Sequence, residues 1–155
     1  MKNAVKPIPD GYHAVTPYLM INEAAKAIDF YKKVFGAQEL MRIPGPGGKV
    51  MHAELKIGDS IIMLADEHPE IDARSPQAYG GTPVSLMLYV ADVDDVFKRA
   101  LSAGAKEVRP LKDQFYGDRS GGISDPFGHQ WTLSTHVEDV SSEEMQKRMA
   151  AQTAA

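Results

Sequence analysis

The residues best suited to chemistry in this sequence are a histidine and a glutamate two positions apart, His52 and Glu54. A strand sends alternate side chains to the same side, so both would lie on one face of a sheet. An imidazole beside a carboxylate could act as a base with its orienting partner, contact a ligand, or supply two ligands to a metal ion. The pair also suits a partly solvated polar strand, because Lys56 continues the alternation.

A second candidate is Arg119, which we place on a loop entering the site, after Phe115 and Tyr116. A guanidinium can hold a carboxylate or phosphate through two parallel hydrogen bonds. It could equally pair with Asp118 or Asp125 and order the neighbouring turn. Both interpretations are open from the sequence.

The composition excludes several classes of protein. The chain has 155 residues, 43% hydrophobic and 25% charged, which suits one domain with a sizeable core. A net charge of −4 without a basic block argues against nucleic acid or a membrane as partner. There is no cysteine for a disulfide or a thiolate site, and residues 1–10 lack the apolar core of a signal peptide. We therefore expect a cytoplasmic protein.

The elements that must position these residues follow from periodicity and turn chemistry. Asn22 and Asp92 are expected helix N-caps, and Gly36 and Gly104 are expected helix ends. A Gly58-Asp59 turn joins two strands and places Glu54 opposite Met63. The predicted strands are 12–21, 37–43, 50–57, 60–65, 84–90, 105–111 and two more flanking the turn 125–128, and a terminal helix begins after Ser141.

An internal repeat organises these elements. Phe35-Gly36-Ala37 and Ala103-Gly104-Ala105 correspond at an offset of 68, and Ile21 and Val90 correspond at 69. The order strand, helix, three strands therefore occurs twice. The predicted fold class is α+β, with two βαβββ modules forming a curved mixed sheet and helices on the outer face. We place one domain at 10–137, with modules at 12–66 and 84–136, and a helix and tail at 138–155.

One face of each sheet should pack on a helix, which leaves the other face to line a concavity. The more apolar faces, including Leu86, Leu88, Trp131 and Leu133, are assigned to the helices. The opposite faces combine aromatic, thioether and hydroxyl groups, and either bind a small, partly apolar molecule or pack against a partner sheet. The predicted ligand contacts are Tyr18, His52, Glu54, Met63, Met87, Tyr89, Arg119 and Thr132.

Over residues 10–137 the chain resembles the glyoxalase/bleomycin-resistance/extradiol-dioxygenase superfamily, the vicinal oxygen chelate proteins, and in particular its PhnB-like branch. The motifs that carry the resemblance are Val15-Thr16-Pro17-Tyr18-Leu19, Ala27-Ile28-Asp29-Phe30-Tyr31, Tyr116-Gly117-Asp118-Arg119 and Asp125-Pro126-Phe127-Gly128-His129-Gln130-Trp131. The resemblance implies paired βαβββ modules and a homodimer. It also implies a divalent metal held by His, Gln or Glu at four positions, acting as a Lewis acid.

Carried onto this chain, the four metal positions fall on Thr16, Met63, Ser85 and Thr132, none of which is a usual ligand for a catalytic divalent ion. The resemblance therefore favours a metal-free protein that binds a small amphipathic molecule, as the bleomycin-binding members do, with no cofactor. The alternatives are a metal-dependent lyase, isomerase or dioxygenase using His52 and Glu54, and a structural or regulatory dimer without a ligand.

Overall fold

The computed structural model describes residues 4–155 of the chain. They form two compact units, one ending at Gly81 (unit 1) and one running from Thr82 to Ala155 (unit 2). Each contains a four-stranded mixed sheet with a helix packed on it, which confirms the α+β class and the two βαβββ modules. The predicted domain bounds stay predictions, and the expectation for residues 1–10 lies partly outside the described residues.

The helices and strands of unit 1 are β1 (Tyr18–Ile21), α1 (Ala24–Phe35), β2 (Gln38–Pro44), β3 (Val50–Ile57), β4 (Ser60–Asp66) and a single helical turn α2 (Pro76–Tyr79). The strand order of the sheet is β1-β4-β3-β2, with β1 parallel to β4 and the other neighbours antiparallel. Short 3-10 turns cover Pro46–Gly48 and Pro69–Ile71, where the sequence suggested only loops.

The β3–β4 hairpin has the predicted register, with Glu54 opposite Met63 and Lys56 opposite Ile61. Its helix-facing side buries Leu55 and Leu64 completely against the apolar stripe of α1. Fully burying a large aliphatic side chain stabilises the fold by about 1.5–3 kcal/mol. A register slip of one residue would expose this whole set, so packing reinforces the turn.

Two expectations at the start of unit 1 are wrong. The first strand begins at Tyr18 rather than Tyr12, because Pro17 has no N–H to extend the ladder, although its carbonyl still accepts from the Met63 amide at 2.9 Å. The N-cap of α1 is Glu23, with φ of 69° and no side-chain cap bond, rather than Asn22. Asp66 at the end of β4 accepts the Ala24 amide instead, at 3.0 Å.

The elements of unit 2 are β5 (Ser85–Tyr89), α3 (Val93–Ser102), β6 (Lys106–Asp113), β7 (Asp118–Ser124), β8 (Gln130–His136) and α4 (Ser142–Thr153). The unit repeats the topology of unit 1 with the order β5-β8-β7-β6, again with its first strand parallel to its last. Asp92 caps α3 by accepting the Asp95 amide, as predicted, and Ser141 caps the terminal helix α4.

The turn between β7 and β8 is organised by Asp125. Its buried carboxylate accepts the Phe127 and His129 amides and the Trp131 indole N–H, each at 2.9 Å. Gly128 has a φ of 90°, which suits a residue without a Cβ. Trp131 is buried on the side of β8 that faces α3, as predicted. Within residues 4–155, no helix is long and apolar enough to cross a membrane.

Candidate functional site

The face of each sheet opposite its helix, called the open face below, carries nearly all the predicted ligand contacts. Strand alternation defines it, because Leu19, Leu55 and Leu64 face α1 in unit 1 and Ile123 and Leu133 face α3 in unit 2. The open face of unit 1 contains Tyr18, Met20, His52, Glu54, Ile61 and Met63, and that of unit 2 contains Ser85, Met87, Tyr89, Asp118, Gly122 and Thr132.

The open face of unit 1 holds a chain of hydrogen-bonded side chains. The Tyr18 hydroxyl lies 2.7 Å from Nδ1 of His52, and Nε2 of His52 lies 3.0 Å from Oε1 of Glu54. The Tyr12 hydroxyl donates to Oε2 of the same carboxylate. The Glu54 side chain is nearly buried, whereas 44% of Tyr18 is exposed, so the chain runs from the interior to the surface.

The direction of these hydrogen bonds follows from the carboxylate. An ionised carboxylate only accepts, so Tyr12 and Nε2 of His52 must both donate to Glu54. A neutral His52 then carries its proton on Nε2 and uses Nδ1 to accept from the Tyr18 hydroxyl. Burial raises the pKa of Tyr18, which keeps that hydroxyl protonated and able to donate. Glu54 therefore fixes both the tautomer and the orientation of the imidazole.

The sheet order explains how Tyr18 reaches His52. Strand β4 lies between β1 and β3, and Met63 on β4 pairs with Tyr18 on one side and with Glu54 on the other. The tyrosine side chain spans this gap and places its ring 5.4 Å from the imidazole, at 42° to it. The structure thus brings Tyr18, His52, Glu54 and Met63 together, as the sequence predicted. Tyr12 was missed, since it was assigned to a strand.

A cavity of about 620 Å³ adjoins this chain and has Tyr18 in its wall. Such a volume is typical of sites for small molecules. Met20, Met51 and Ile71 give it an apolar lining, and the sequence had placed Met51 on the helix-facing side instead. Half of Met51 is exposed. The remaining lining residues are Pro46, Lys49, Val50, Ala65, Asp66, Glu67, His68, Pro69, Glu70 and Ala73.

Two of the acidic side chains that line the cavity accept hydrogen bonds that stabilise the fold. Asp66 accepts the Val50 amide at 2.7 Å in addition to that of Ala24. Glu67 accepts the Ser75 hydroxyl at 2.5 Å and the Ser75 amide at 2.8 Å, and these bonds lower the pKa of its carboxyl. Both groups order the loops around the cavity, which leaves Tyr18 as the polar group that joins the cavity to the buried carboxylate.

The open face of unit 2 has a different polar cluster, built around the buried Asp118. Tyr89 donates to its Oδ2 at 2.9 Å, and Nδ1 of His136 lies 2.8 Å from its Oδ1. The other imidazole nitrogen lies 2.7 Å from Asp139. Contacts with Asp139 and then Asp118 raise the pKa of His136. The hydrogen bond to Asp118 raises the pKa of Tyr89.

Arg109, which the sequence analysis did not single out, also lies on the open face of unit 2. It is opposite Gly122 in the sheet, and its Nη2 donates to the Thr132 hydroxyl at 2.7 Å. A Cβ on Gly122 would lie 2.9 Å from Nε of the arginine, so the guanidinium rests in the space that this glycine leaves. Met87 pairs with Thr132 from the other side and is half exposed.

Arg119 is not on a loop entering the site. It lies in β7, on the side that faces α3, and makes two hydrogen bonds of 2.8 Å to Asp94 in the first turn of that helix. A third bond of 3.2 Å reaches Asp113. The bonds to Asp94 and then Asp113 raise the pKa of the guanidinium above its usual value. Its partners are therefore neither Asp118 nor Asp125, and it ties a helix to the sheet.

The side chains at the implied metal positions do not fit a divalent ion. Thr16 precedes β1, with its hydroxyl 3.1 Å from the His13 carbonyl, and Met63, Ser85 and Thr132 offer a thioether and two hydroxyls. Within residues 4–155, no three histidine, aspartate or glutamate side chains are grouped to hold a metal. A metal ion bound to Nδ1 of His52 would displace the Tyr18 hydroxyl, and one bound to Nε2 would displace the Glu54 carboxylate.

Comparison with known proteins agrees with this architecture. The family model described as the glyoxalase/bleomycin resistance protein/dioxygenase superfamily matches residues 12–133. An uncharacterised protein of Mycobacterium tuberculosis is 48% identical over 142 residues, which cover 90% of this chain and 84% of the relative. These two matches are similarities of sequence, and similarity to solved structures concerns the fold.

Two solved structures illustrate the shared fold. TioX from Micromonospora sp. ML1 has a TM-score of 0.63 at 29% identity, over 83% of this chain and 100% of that one. A PhnB protein from Bacillus cereus has a TM-score of 0.62 at 20% identity, over 79% of this chain and 99% of that one. With the repeated βαβββ topology and the matched family model, the chain belongs to the glyoxalase/bleomycin resistance protein/dioxygenase superfamily.

Proposed function

We propose that the protein binds a small amphipathic molecule on the open face of unit 1, in the cavity beside Tyr18. The observation that carries the proposal is the hydrogen-bonded chain from the nearly buried Glu54 through His52 to Tyr18, whose exposed end forms part of the cavity wall. The apolar part of the ligand would contact Met20 and Met51, and its polar group would meet the Tyr18 hydroxyl.

The chain gives this site a pre-organised polar end. Glu54 orients His52, and His52 holds the Tyr18 hydroxyl through Nδ1, so the tyrosine oxygen keeps its lone pairs for a donor on the ligand. A group fixed before binding loses little conformational entropy when the ligand arrives. We therefore propose Tyr18 as the direct polar contact, with His52 and Glu54 positioning it, and Met63 as an apolar contact beside them.

In unit 2 we propose Met87, Tyr89 and Thr132 as ligand contacts on the open face of that unit. Met87 and Tyr89 are exposed and lie on the same face as Thr132. Arg119 does not belong to this set, because its guanidinium is held by Asp94 and lies on the side of α3. The proposed set on the open faces is therefore Tyr18, His52, Glu54, Met63, Met87, Tyr89 and Thr132.

We propose that ligand binding needs no divalent metal, because the implied metal positions carry a methionine and three hydroxyl residues. The competing function, a metal-dependent lyase, isomerase or dioxygenase, would have to recruit His52 and Glu54. Elemental analysis of untagged protein for Mn, Fe, Co, Ni, Cu and Zn separates the two. A near-stoichiometric metal that disappears in His52→Ala would overturn the metal-free proposal.

We also propose that the protein works as a homodimer. The support comes from apolar side chains that a single chain leaves exposed along β2, where Leu40, Met41 and Ile43 are each about two-fifths to one-half accessible. Exposed apolar patches commonly mark association surfaces. Light scattering coupled to gel filtration should give twice the mass of the 17.0 kDa chain. A monomer at micromolar concentration would contradict this part of the proposal.

The binding proposal is tested by a thermal-shift screen of small amphipathic molecules, followed by calorimetry on the hits. Tyr18→Phe and His52→Ala should each weaken binding by about tenfold, or 1.4 kcal/mol, since each breaks the polar end of the site. The matched control is His13→Ala, because this exposed histidine makes no side-chain contact with the chain of hydrogen bonds. Equal affinity in all three variants would refute the assignment of the site.

A further inference from the structure

Arg109 differs from the other arginines in how its charge is neutralised. Within residues 4–155, five of the six arginines have a carboxylate within 4 Å, and Arg109 has none. The paired ones are Arg42, Arg74, Arg99, Arg119 and Arg148. A guanidinium remains charged at any physiological pH. Arg109 therefore presents an uncompensated positive charge in a chain whose net charge is −4.

Although Arg109 is exposed, its guanidinium is held against the sheet. Its Nη2 donates to the Thr132 hydroxyl at 2.7 Å, and its Nε and Nη2 lie over Gly122, within about 3 Å of where a Cβ would be. Holding an arginine in one conformation costs side-chain entropy, which these contacts offset. One N–H of its five is used by Thr132, which leaves donors for another partner.

The nearest acidic residue on the same strand does not face this site. Glu107 pairs with Ile123, and directly paired residues in an antiparallel sheet point to the same side. Ile123 is fully buried against α3, so Glu107 belongs to that side of the sheet. On the open side, Arg109 instead has the half-exposed Met87 as a neighbour across Thr132. The site therefore combines a cation with an apolar surface.

We infer that Arg109, seated over Gly122 and held by Thr132, is an anion-binding group, and that the ligand of unit 2 has an oxyanion beside an apolar part that covers Met87. The oxyanion is a carboxylate or a phosphate monoester, both of which accept two parallel hydrogen bonds from a guanidinium. This inference rests on the proposed function, because it specifies the charge of the bound small molecule.

The test uses three aromatic compounds of similar size on the full-length protein: benzoate, phenyl phosphate and neutral benzamide. Binding is followed by NMR through the Arg109 Nε–Hε signal and the Thr132 amide. One or both anions should shift these signals with at least tenfold higher affinity than benzamide, and added salt should weaken them. The stronger anion identifies the carboxylate or the phosphate as the recognised group. Benzamide binding as tightly as both anions would overturn the inference.

Two variants test separately how the charge of Arg109 and the space left by Gly122 contribute to anion affinity. Arg109→Met should reduce anion affinity at least tenfold, whereas Arg99→Met, an exposed arginine of α3 with an Asp95 partner, should leave it unchanged. Gly122→Ala retains the charge but introduces a methyl that displaces the flexible guanidinium, and should reduce affinity about threefold or more. Unchanged anion affinity in Arg109→Met would refute the inference even if Gly122→Ala had an effect.

The result also distinguishes this inference from the broader proposal. If all three compounds bind equally and Arg109→Met has no effect, the anion site is wrong while amphipathic binding stands. If anions bind through Arg109 but Tyr18→Phe leaves the affinity of every hit from the amphipathic screen unchanged, the anion site is supported and the proposed site beside Tyr18 is wrong. Unchanged anion affinity in Met87→Ala would overturn the apolar part of the inference.

Discussion

The chain Tyr18–His52–Glu54 predicts an energetic coupling between two residues that do not touch each other. Replacing Glu54 by glutamine leaves one acceptor oxygen for two donors, Tyr12 and His52. One donor then faces an amide NH₂, and losing a hydrogen bond to a charged group costs about 1.5–3 kcal/mol. For a chain of 155 residues, at about 2–4 °C per kcal/mol, that corresponds to a fall in melting temperature of about 3–12 °C.

Tyr18→Phe should cost less, about 1 kcal/mol, because it removes one neutral hydrogen bond from a partly exposed group. In the Glu54→Gln background its cost should fall to about half, since His52 is no longer held with Nδ1 towards the tyrosine. The double-mutant cycle should therefore give a coupling energy of about 0.5 kcal/mol.

The cycle is measured by urea unfolding with far-UV circular dichroism, which follows the helices and strands of both units. The control background is Lys56→Gln, an exposed residue two positions along the same strand face. There Tyr18→Phe should keep its full cost. If Tyr18→Phe costs the same in the wild-type and Glu54→Gln backgrounds within about 0.2 kcal/mol, the three side chains do not act as a unit.

Three further predictions concern parts of the fold that support the site. Asp66→Ala removes the acceptor for two backbone amides and should lower the free energy of unfolding by about 1–3 kcal/mol, measured in urea against Asp59→Ala in the β3–β4 turn. His136 has a raised pKa in the folded protein, so its ion pairs stabilise the fold fully below the unfolded pKa of about 6.5 and are lost as pH rises through the folded pKa. The melting-temperature difference between wild type and His136→Gln should therefore shrink as the pH is raised through this window, and a constant difference would contradict the assignment. Arg119→Met should lower the melting temperature and leave ligand affinity unchanged, since its guanidinium ties α3 to β7; a loss of affinity without a loss of stability would return it to the binding set.

Much of the fold could be predicted because its signals are local. The Gly58-Asp59 turn fixes the register that places Glu54 opposite Met63. Asp92 and Gly104 predict the two ends of α3 to within two residues. Alternation then assigns His52 and Glu54 to one face. These inferences need only neighbouring residues, which is why the β3–β4 hairpin and the repeated topology agree with the structure.

The predictions fail where a residue far away in the sequence determines the local structure. The Ala24 amide at the start of α1 donates to Asp66, which lies 42 positions along the chain, and no local pattern points to that residue. Arg119 was placed on a loop entering the site, but β7 already starts at Asp118, and the guanidinium is held by Asp94 of the distant helix α3. Arg109 was missed because its significance depends on Gly122, a residue whose only contribution is the space it leaves.

The two open faces show how the repeat has diverged in charge. Within unit 1, Glu54 pairs with Met63, which pairs with Tyr18; within unit 2, Gly122 pairs with Thr132, which pairs with Met87. Glu54 and Gly122 therefore hold corresponding positions. Unit 1 places a carboxylate there, which is used internally to orient an imidazole and a phenol.

Unit 2 has no side chain at the corresponding position, and the space is filled by the guanidinium of Arg109 from the neighbouring strand. The same location in the module thus carries a buried acid in one copy and a cation with free donors in the other. The open face of unit 1 therefore calls for a neutral hydrogen-bonding group at Tyr18, and the open face of unit 2 calls for an oxyanion at Arg109. Because the two requirements are chemically different, neutral and anionic probes can test each face without the other.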